Sequence, residues 1–189
     1  MRGMLKAVVV VAVVASVWAP LPARADGFIS FWAGRQFPST ADQGRGAFGL
    51  TAGGTGSGVV AGELEFGYSP SFFGTQNDFG HNTVLDLTLN ATFGMPLGNW
   101  RSGAAVRPFV RAGAGLIRTQ IDGGSLFNVS SSENHFGYDL GGGIIGFFNE
   151  RIGLRGDITY FRTMTGNVVN GLDLGSLHYW RWSAGVVIR

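Results

Sequence analysis

The segment Thr83-Val-Leu-Asp-Leu-Thr-Leu-Asn-Ala-Thr-Phe-Gly-Met95 decides how the rest of the chain is read. Leu85, Leu87, Leu89, Ala91, Phe93 and Met95 fall on one side of a two-residue repeat, with Asp86, Thr88, Asn90, Thr92 and Gly94 on the other. Side chains at i, i+2 and i+4 share one face of a strand, so this is a strand with one apolar and one polar face. The same split recurs outward from it. Val60, Leu64, Phe66 and Tyr68 oppose Glu63 and Glu65; Val110, Ala112, Ala114 and Leu116 oppose Arg107 and Arg111; Phe136, Tyr138, Leu140, Ile144 and Phe148 oppose His135 and Asp139. Ile152, Leu154, Ile158 and Tyr160 oppose Arg151, Arg155 and Asp157, and Trp180, Trp182, Ala184, Val186 and Ile188 oppose Arg181. Phe28 to Arg35 and Gly46 to Ala52 alternate less decisively and are assigned as strands from their position, giving eight.

Alternation alone also fits a water-soluble sandwich or ligand-binding barrel. The polar faces separate the two, because they carry mainly Gly, Ser and Thr with a few acids and arginines, whereas a water-facing sheet would be rich in Lys, Glu and Asp. Charged residues make up 14% of the chain, below the roughly 25% usual in soluble domains, and 32 of the 189 residues are Gly. The apolar faces end in Tyr68, Phe93, Phe148, Tyr160, Trp180 and Trp182, as aromatic girdles at membrane interfaces do. Strands of about 9–11 residues suffice to cross a bilayer when tilted, and closure follows because lipid cannot satisfy an open sheet edge. The expectation is an all-β, eight-stranded antiparallel up-and-down transmembrane β-barrel. External loops are expected near 37–45, 71–81, 121–133 and 166–175, and inner turns near 53–57, 96–105 and 149–150, the last a two-residue hairpin.

Residues 1–25 read as a cleaved signal peptide and 26–189 as the barrel domain. Arg2 and Lys6 precede the apolar stretch Ala7 to Ala19, and Ala23-Arg24-Ala25 supplies the small-x-small cleavage pattern. Thirteen residues rise only about 20 Å as a helix, short of the roughly 30 Å hydrocarbon core. Without Arg2, Lys6 and Arg24, the 14 cationic residues fall to 11 against 12 acids, so the formal charge of +2 becomes −1. No basic stripe remains to follow a phosphate backbone, which argues against nucleic acid as a partner. The absence of Cys excludes thiol catalysis and Cys-ligated metals.

Glu63-Leu-Glu-Phe-Gly-Tyr-Ser-Pro70, Arg107-Pro-Phe-Val-Arg-Ala-Gly-Ala-Gly-Leu116, Asp139-Leu-Gly-Gly-Gly143 and Gly153-Leu-Arg-Gly-Asp157 resemble the bacterial outer-membrane β-barrel family that includes OmpA-type and opacity-type surface proteins. The resemblance covers nearly all of the chain after residue 25. It implies residence in the outer membrane of a Gram-negative-type bacterium, contact with outer-membrane lipid, and insertion by the outer-membrane assembly machinery. That machinery commonly reads a C-terminal aromatic residue, whereas this chain ends Val187-Ile188-Arg189, with Trp180 and Trp182 upstream on the same strand. Members range over adhesins, immune-evasion proteins, structural anchors and a few lipid-modifying enzymes.

Eight strands enclose a lumen just wide enough to be filled by side chains. Parity assigns Glu63, Glu65, Asp86, Asp139 and Asp157 to it, with Arg107, Arg111, Arg151, Arg155 and Arg181. Isolated charges are costly there, so an Arg–carboxylate network is expected; the rival is a narrow ion path. The enzyme alternative centres on His135 with Ser130, Ser131, Ser132 and Glu133, since a nucleophile and its base must come within about 3 Å. No spacing is specific to it, so neither catalytic residues nor a cofactor is assigned, and His81, His135 and His178 form no metal-ligand pair at short spacing. Gly141 to Gly146 satisfies G-x-G-x-x-G without the helix that a dinucleotide site needs, and Arg155-Gly156-Asp157 lies mid-strand rather than in a recognition loop. Phe72, Phe73, Phe79, Leu126 and Phe127 are candidate anchors for an unknown surface ligand, or else pack on the barrel rim. The function expected is non-enzymatic, structural or surface-interacting; a small channel and a lipid-modifying enzyme are the alternatives.

Overall fold

A computed structural model describes residues 26–38, 44–55, 59–72, 81–98, 105–122, 130–164, 168–169, 172–173 and 176–189. The strands are β1 (Asp26–Pro38), β2 (Arg45–Thr55), β3 (Val60–Pro70), β4 (His81–Gly94), β5 (Ala105–Asp122), β6 (Ser130–Phe147), β7 (Ile152–Thr163) and β8 (His178–Ile188). Each pairs antiparallel with its sequence neighbours, and β8 returns to β1 in register from Ile29↔Ile188 to Pro38↔Tyr179. The sheet therefore closes on itself and leaves no edge for lipid to meet. Short rungs decorate two connections: Leu97–Gly98 pairs with Ala105 and Val106, and Val168–Val169 pairs with Leu172–Asp173 between β7 and β8. The expected signal at residues 1–25 lies outside the described residues.

Alternation sets the two faces. In β3 every second residue from Ala61 to Ser69 is buried, while Val60, Phe66 and Pro70 look outward. In β7 Gly153, Arg155, Asp157, Thr159, Phe161 and Thr163 point in, with Leu154 and Ile158 half or more exposed on the other side. The strand ends that flank 39–44, 71–80, 123–129 and 164–177 lie at one end of the barrel, and those that flank 56–59, 95–104 and 148–151 lie at the other with Asp26 and Arg189. Longer connections face the exterior in these barrels and shorter ones the periplasm.

Three boundaries depart from the sequence reading. Strands β5 and β6 are 18 residues each, and they remain paired up to Gln120↔Ser132 and Asp122↔Ser130. This extension carries Thr119, Gln120, Ser132 and Glu133, so it shows no apolar alternation even though it is strand, and the connection narrows to 123–129. At the other end, the β6–β7 turn occupies 148–151 rather than two residues. Asn149 Oδ1 accepts from the backbone N–H of Arg151 at 2.8 Å and of Ile152 at 2.7 Å, an Asx arrangement that keeps Arg151 in the turn, where its carbonyl accepts from the Arg189 N–H at 2.9 Å.

Inside, two apolar clusters occupy opposite ends of the lumen. Phe28, Phe109, Ile145, Phe147 and Val187 fill the periplasmic end. Phe72, Val84, Ile117, Phe161 and Tyr179 fill the external end, where the Phe161 and Tyr179 rings stack at 4.9 Å and Phe72 meets Tyr179 edge-on at 5.2 Å. Space between them is tight. A Cβ at Gly67 would sit 2.7 Å from Cγ of Asp86 on the neighbouring strand, and one at Gly49 would sit 2.7 Å from Cε2 of Trp32 and against the Phe66 carbonyl, so a side chain at either position would displace a lumen group.

Candidate functional site

Between the apolar clusters lies a layer of buried charge, which period-2 geometry delivers from six strands. Glu65 on β3 is its hub. Arg111 of β5 donates through Nη1 to Glu65 Oε2 at 2.6 Å, and its Nε reaches Asp139 Oδ1 of β6 at 3.2 Å. From β8, Arg181 donates through Nη2 to Glu65 Oε1 and through Nη1 to Asp86 Oδ2 of β4 at 3.2 Å. Thr51 of β2 adds a hydroxyl to Glu65 Oε2 at 3.3 Å. Nearer the periplasm, Arg155 of β7 donates through Nε to Asp157 Oδ2 at 2.9 Å and through Nη2 to Glu63 Oε2 at 3.0 Å, while Ser183 donates to Asp157 Oδ1 at 2.8 Å.

The guanidinium planes also lie against rings. Arg181 is 4.1 Å from the Trp32 ring centroid on one side and 4.6 Å from that of Phe161 on the other, and Arg155 lies 4.6 Å over Phe109. A desolvated cation over an aromatic face gains about 2 kcal/mol or more. These rings bind the charged layer to the apolar clusters above and below. Charge pairing at the Glu65 hub ties β3, β4, β5, β6 and β8 together, and the Arg155–Glu63 pair nearer the periplasm ties β7 to β3.

Of the residues assigned by parity, Glu63, Glu65, Asp86, Arg107, Arg111, Asp139, Arg155, Asp157 and Arg181 are buried in the lumen. Arg151 is the correction. It is exposed in the 148–151 turn, because the strand begins one residue later than the alternation suggested. Arg107 stands apart from the paired groups: its Nη2 donates to the Val59 carbonyl at 3.0 Å, and its Nε and Nη1 have no partner among the described residues. Sequence reasoning missed Trp32, Thr51, Phe109, Phe161 and Ser183, all of which touch the charged groups. For Phe109 and Phe161 the signal was available, since each falls in phase with the polar residues of its strand.

On the outer face, Phe93, Phe148, Trp180 and Trp182 are exposed to the surroundings, and Tyr68 and Tyr160 are half-buried among outward neighbours. Tyr160 lies 5.1 Å from Trp180, and Tyr68 5.3 Å from Phe48. Among the loop candidates, Phe72 requires correction. It is fully buried in the external apolar cluster, because the chain turns inward after β3 at Ser71, which has a φ of 55°. Phe73, Phe79, Leu126 and Phe127 lie outside the described residues.

The serine–histidine arrangement changes as well. His135 faces inward, with Nε2 3.1 Å from Glu133 Oε2, whereas Ser132 is exposed on the outer face and its Oγ accepts from Arg118 Nε at 3.1 Å. An odd residue spacing within one strand puts Ser132 and His135 on opposite faces. Gly141 to Gly146 lies within β6, and Arg155 and Asp157 of the Arg-Gly-Asp tripeptide both point into the lumen.

Comparison with known proteins agrees with this geometry. The model of the outer membrane protein beta-barrel domain family matches residues 10–189. The chain belongs to this family. As an outer-membrane barrel, it resides in the cell outer membrane. Neisserial surface protein A is a similar structure at a TM-score of 0.68 and 14% identity, covering 87% of this chain and 97% of that one. Outer membrane protein H of P. aeruginosa follows at 0.51 and 19%, covering 85% and 98%. The N-terminal barrel of Pseudomonas aeruginosa OprF gives 0.50 and 15%, covering 86% and 99%. At these identities the likeness is one of fold. No curated protein sequence matches.

Proposed function

We propose that this outer-membrane barrel is a non-enzymatic structural or surface-interaction protein with a sealed lumen, acting through its external loops. Residues 1–25 serve as its cleaved export signal, and the assembly machinery inserts the remainder. The observation that carries this reading is the Glu65 hub, bridged by Arg111 and Arg181 from strands across the lumen and covered at either end by an apolar cluster. A conducting path would need charges left free to exchange with water and ions. Here each carboxylate of the network is held by an arginine, and two of those arginines, Arg181 and Arg155, are pressed against rings. The opposed faces of Ser132 and His135 weigh against hydrolysis by that pair.

Phe73, Phe79, Leu126 and Phe127, in the connections 73–80 and 123–129, are the proposed anchors for a surface ligand. Planar-bilayer recordings of the refolded chain test the sealed lumen. Current at background level is expected, whereas stable single-channel steps well above it would replace this reading with the small-channel one.

A further inference from the structure

The outward faces of the strands are apolar over most of their length, with charged exceptions toward one end. Among the outward-facing strand positions whose side chains are described, those that carry a full charge are Arg35, Arg118 and Arg162, all exposed and all toward the external ends of β1, β5 and β7; Asp122, the last residue of β5, stands at the same parity as Arg118. None of the three joins an ion pair among the described residues. The periplasmic ends show nothing comparable: Val60, Phe93, Val106, Ile152 and Ile188 carry the apolar surface to the last turn.

Arg162 has the most developed surroundings. The ladders set Tyr138 of β6 and His178 of β8 directly across from it, all on the outer face. One row nearer the membrane centre lie Leu140, Tyr160 and Trp180, and the Tyr160 ring is 5.1 Å from Trp180 and 6.4 Å from His178. A guanidinium fork matches two phosphate oxygens at once. The Tyr138 phenol beside it adds a hydrogen-bond donor, the His178 ring is held by its Nδ1 at 3.2 Å from the Ser176 carbonyl, and the aromatic shelf below marks the depth where headgroup gives way to hydrocarbon. Three arginines outnumber the one carboxylate position at this parity, Asp122, so the rim is net cationic and complements an anionic membrane surface.

We propose that this external rim seats a phosphate-bearing lipid headgroup of the outward leaflet, centred on Arg162 between Tyr138 and His178 above the Tyr160–Trp180 shelf, with Arg35 and Arg118 extending the cationic belt. This rests on the reading that the long-loop end faces the exterior.

The test uses the full chain refolded in zwitterionic micelles and titrated with short-chain phosphatidic acid, with the diacylglycerol of the same chains, and with inorganic phosphate, followed by backbone amide shifts. Saturable shifts confined to residues near 138, 162 and 178 are expected with phosphatidic acid alone. Arg162→Gln should weaken that binding about fivefold, the contribution of one cation at an anionic surface. Should that variant fail to refold, Arg162→Lys keeps the charge and loses the fork, and a smaller weakening is expected. Equal responses to diacylglycerol, an equal response to free phosphate, shifts in lumen residues, or unchanged affinity in a folded Arg162→Gln barrel would each overturn the proposal. Failure of the unsubstituted chain to show heat-modifiable gel migration would instead count against the barrel reading itself.

Discussion

Glu65→Ala is expected to destabilise the folded barrel by about 3–5 kcal/mol, because breaking a buried ion pair leaves uncompensated charge in a low-dielectric interior. Two arginines lose a partner at once, since Arg111 and Arg181 both donate to this carboxylate. Each retains one further acid, Asp139 and Asp86 respectively, and both are held in place by packing, so neither can move to water. Urea unfolding in lipid vesicles, followed by heat-modifiable gel migration, would read the loss. Thr51→Ala is the internal comparison. It removes a single neutral donor to the same oxygen and should cost about 0.5–1.5 kcal/mol. Similar losses for the two variants would mean that water reaches the hub.

The second large effect belongs to the opposite face. Leu89 is 68% exposed near the middle of β4, one residue from the buried Thr88 and Asn90. Leu89→Arg in a bilayer should destabilise the barrel by about 2–4 kcal/mol, whereas Thr83→Arg, near the external end of the same strand, should cost about 0–1 kcal/mol. Depth dependence is the informative part. A water-facing sheet would accept both substitutions almost equally.

Residues that alternate cleanly made most of this architecture legible. In β4, β7 and β8 the two faces stay distinct along the middle of each strand, with exceptions only toward the ends, where Val84, Phe161, Tyr179 and Val187 turn inward and Arg162 outward, so strand, register parity and most of the lumen content follow directly. Strand β1 was blurred because it places rings on both faces, Phe28 and Trp32 inward and Phe31 and Phe37 outward. Strand β2 was blurred by Gly49, Gly53 and Gly54, which carry no side chain to show a face. The tops of β5 and β6 stand beyond the apolar band, where pairing continues without a lipid-facing signature. Phe72 looked like a loop anchor because nothing in a segment without alternation distinguishes a ring turned inward from one turned out. Membership of the charged layer could be read from parity, but its pairing could not. Glu65 and Arg181 are 116 residues apart, and what brings them together is the stagger of a closed sheet.

The most direct test of lipid outside and a sealed lumen within exploits the lack of native cysteine. Single cysteines at positions 87, 88, 89 and 90 of β4 would be probed in vesicles with a water-soluble maleimide, and fluorophores at the same sites with bromolipid quenching. The account predicts strong quenching at 87 and 89, little at 88 and 90, and negligible maleimide reaction at all four. Rapid aqueous labelling at 88 and 90 would show an open lumen, and rapid aqueous labelling without quenching at 87 and 89 would show that the apolar face does not meet lipid.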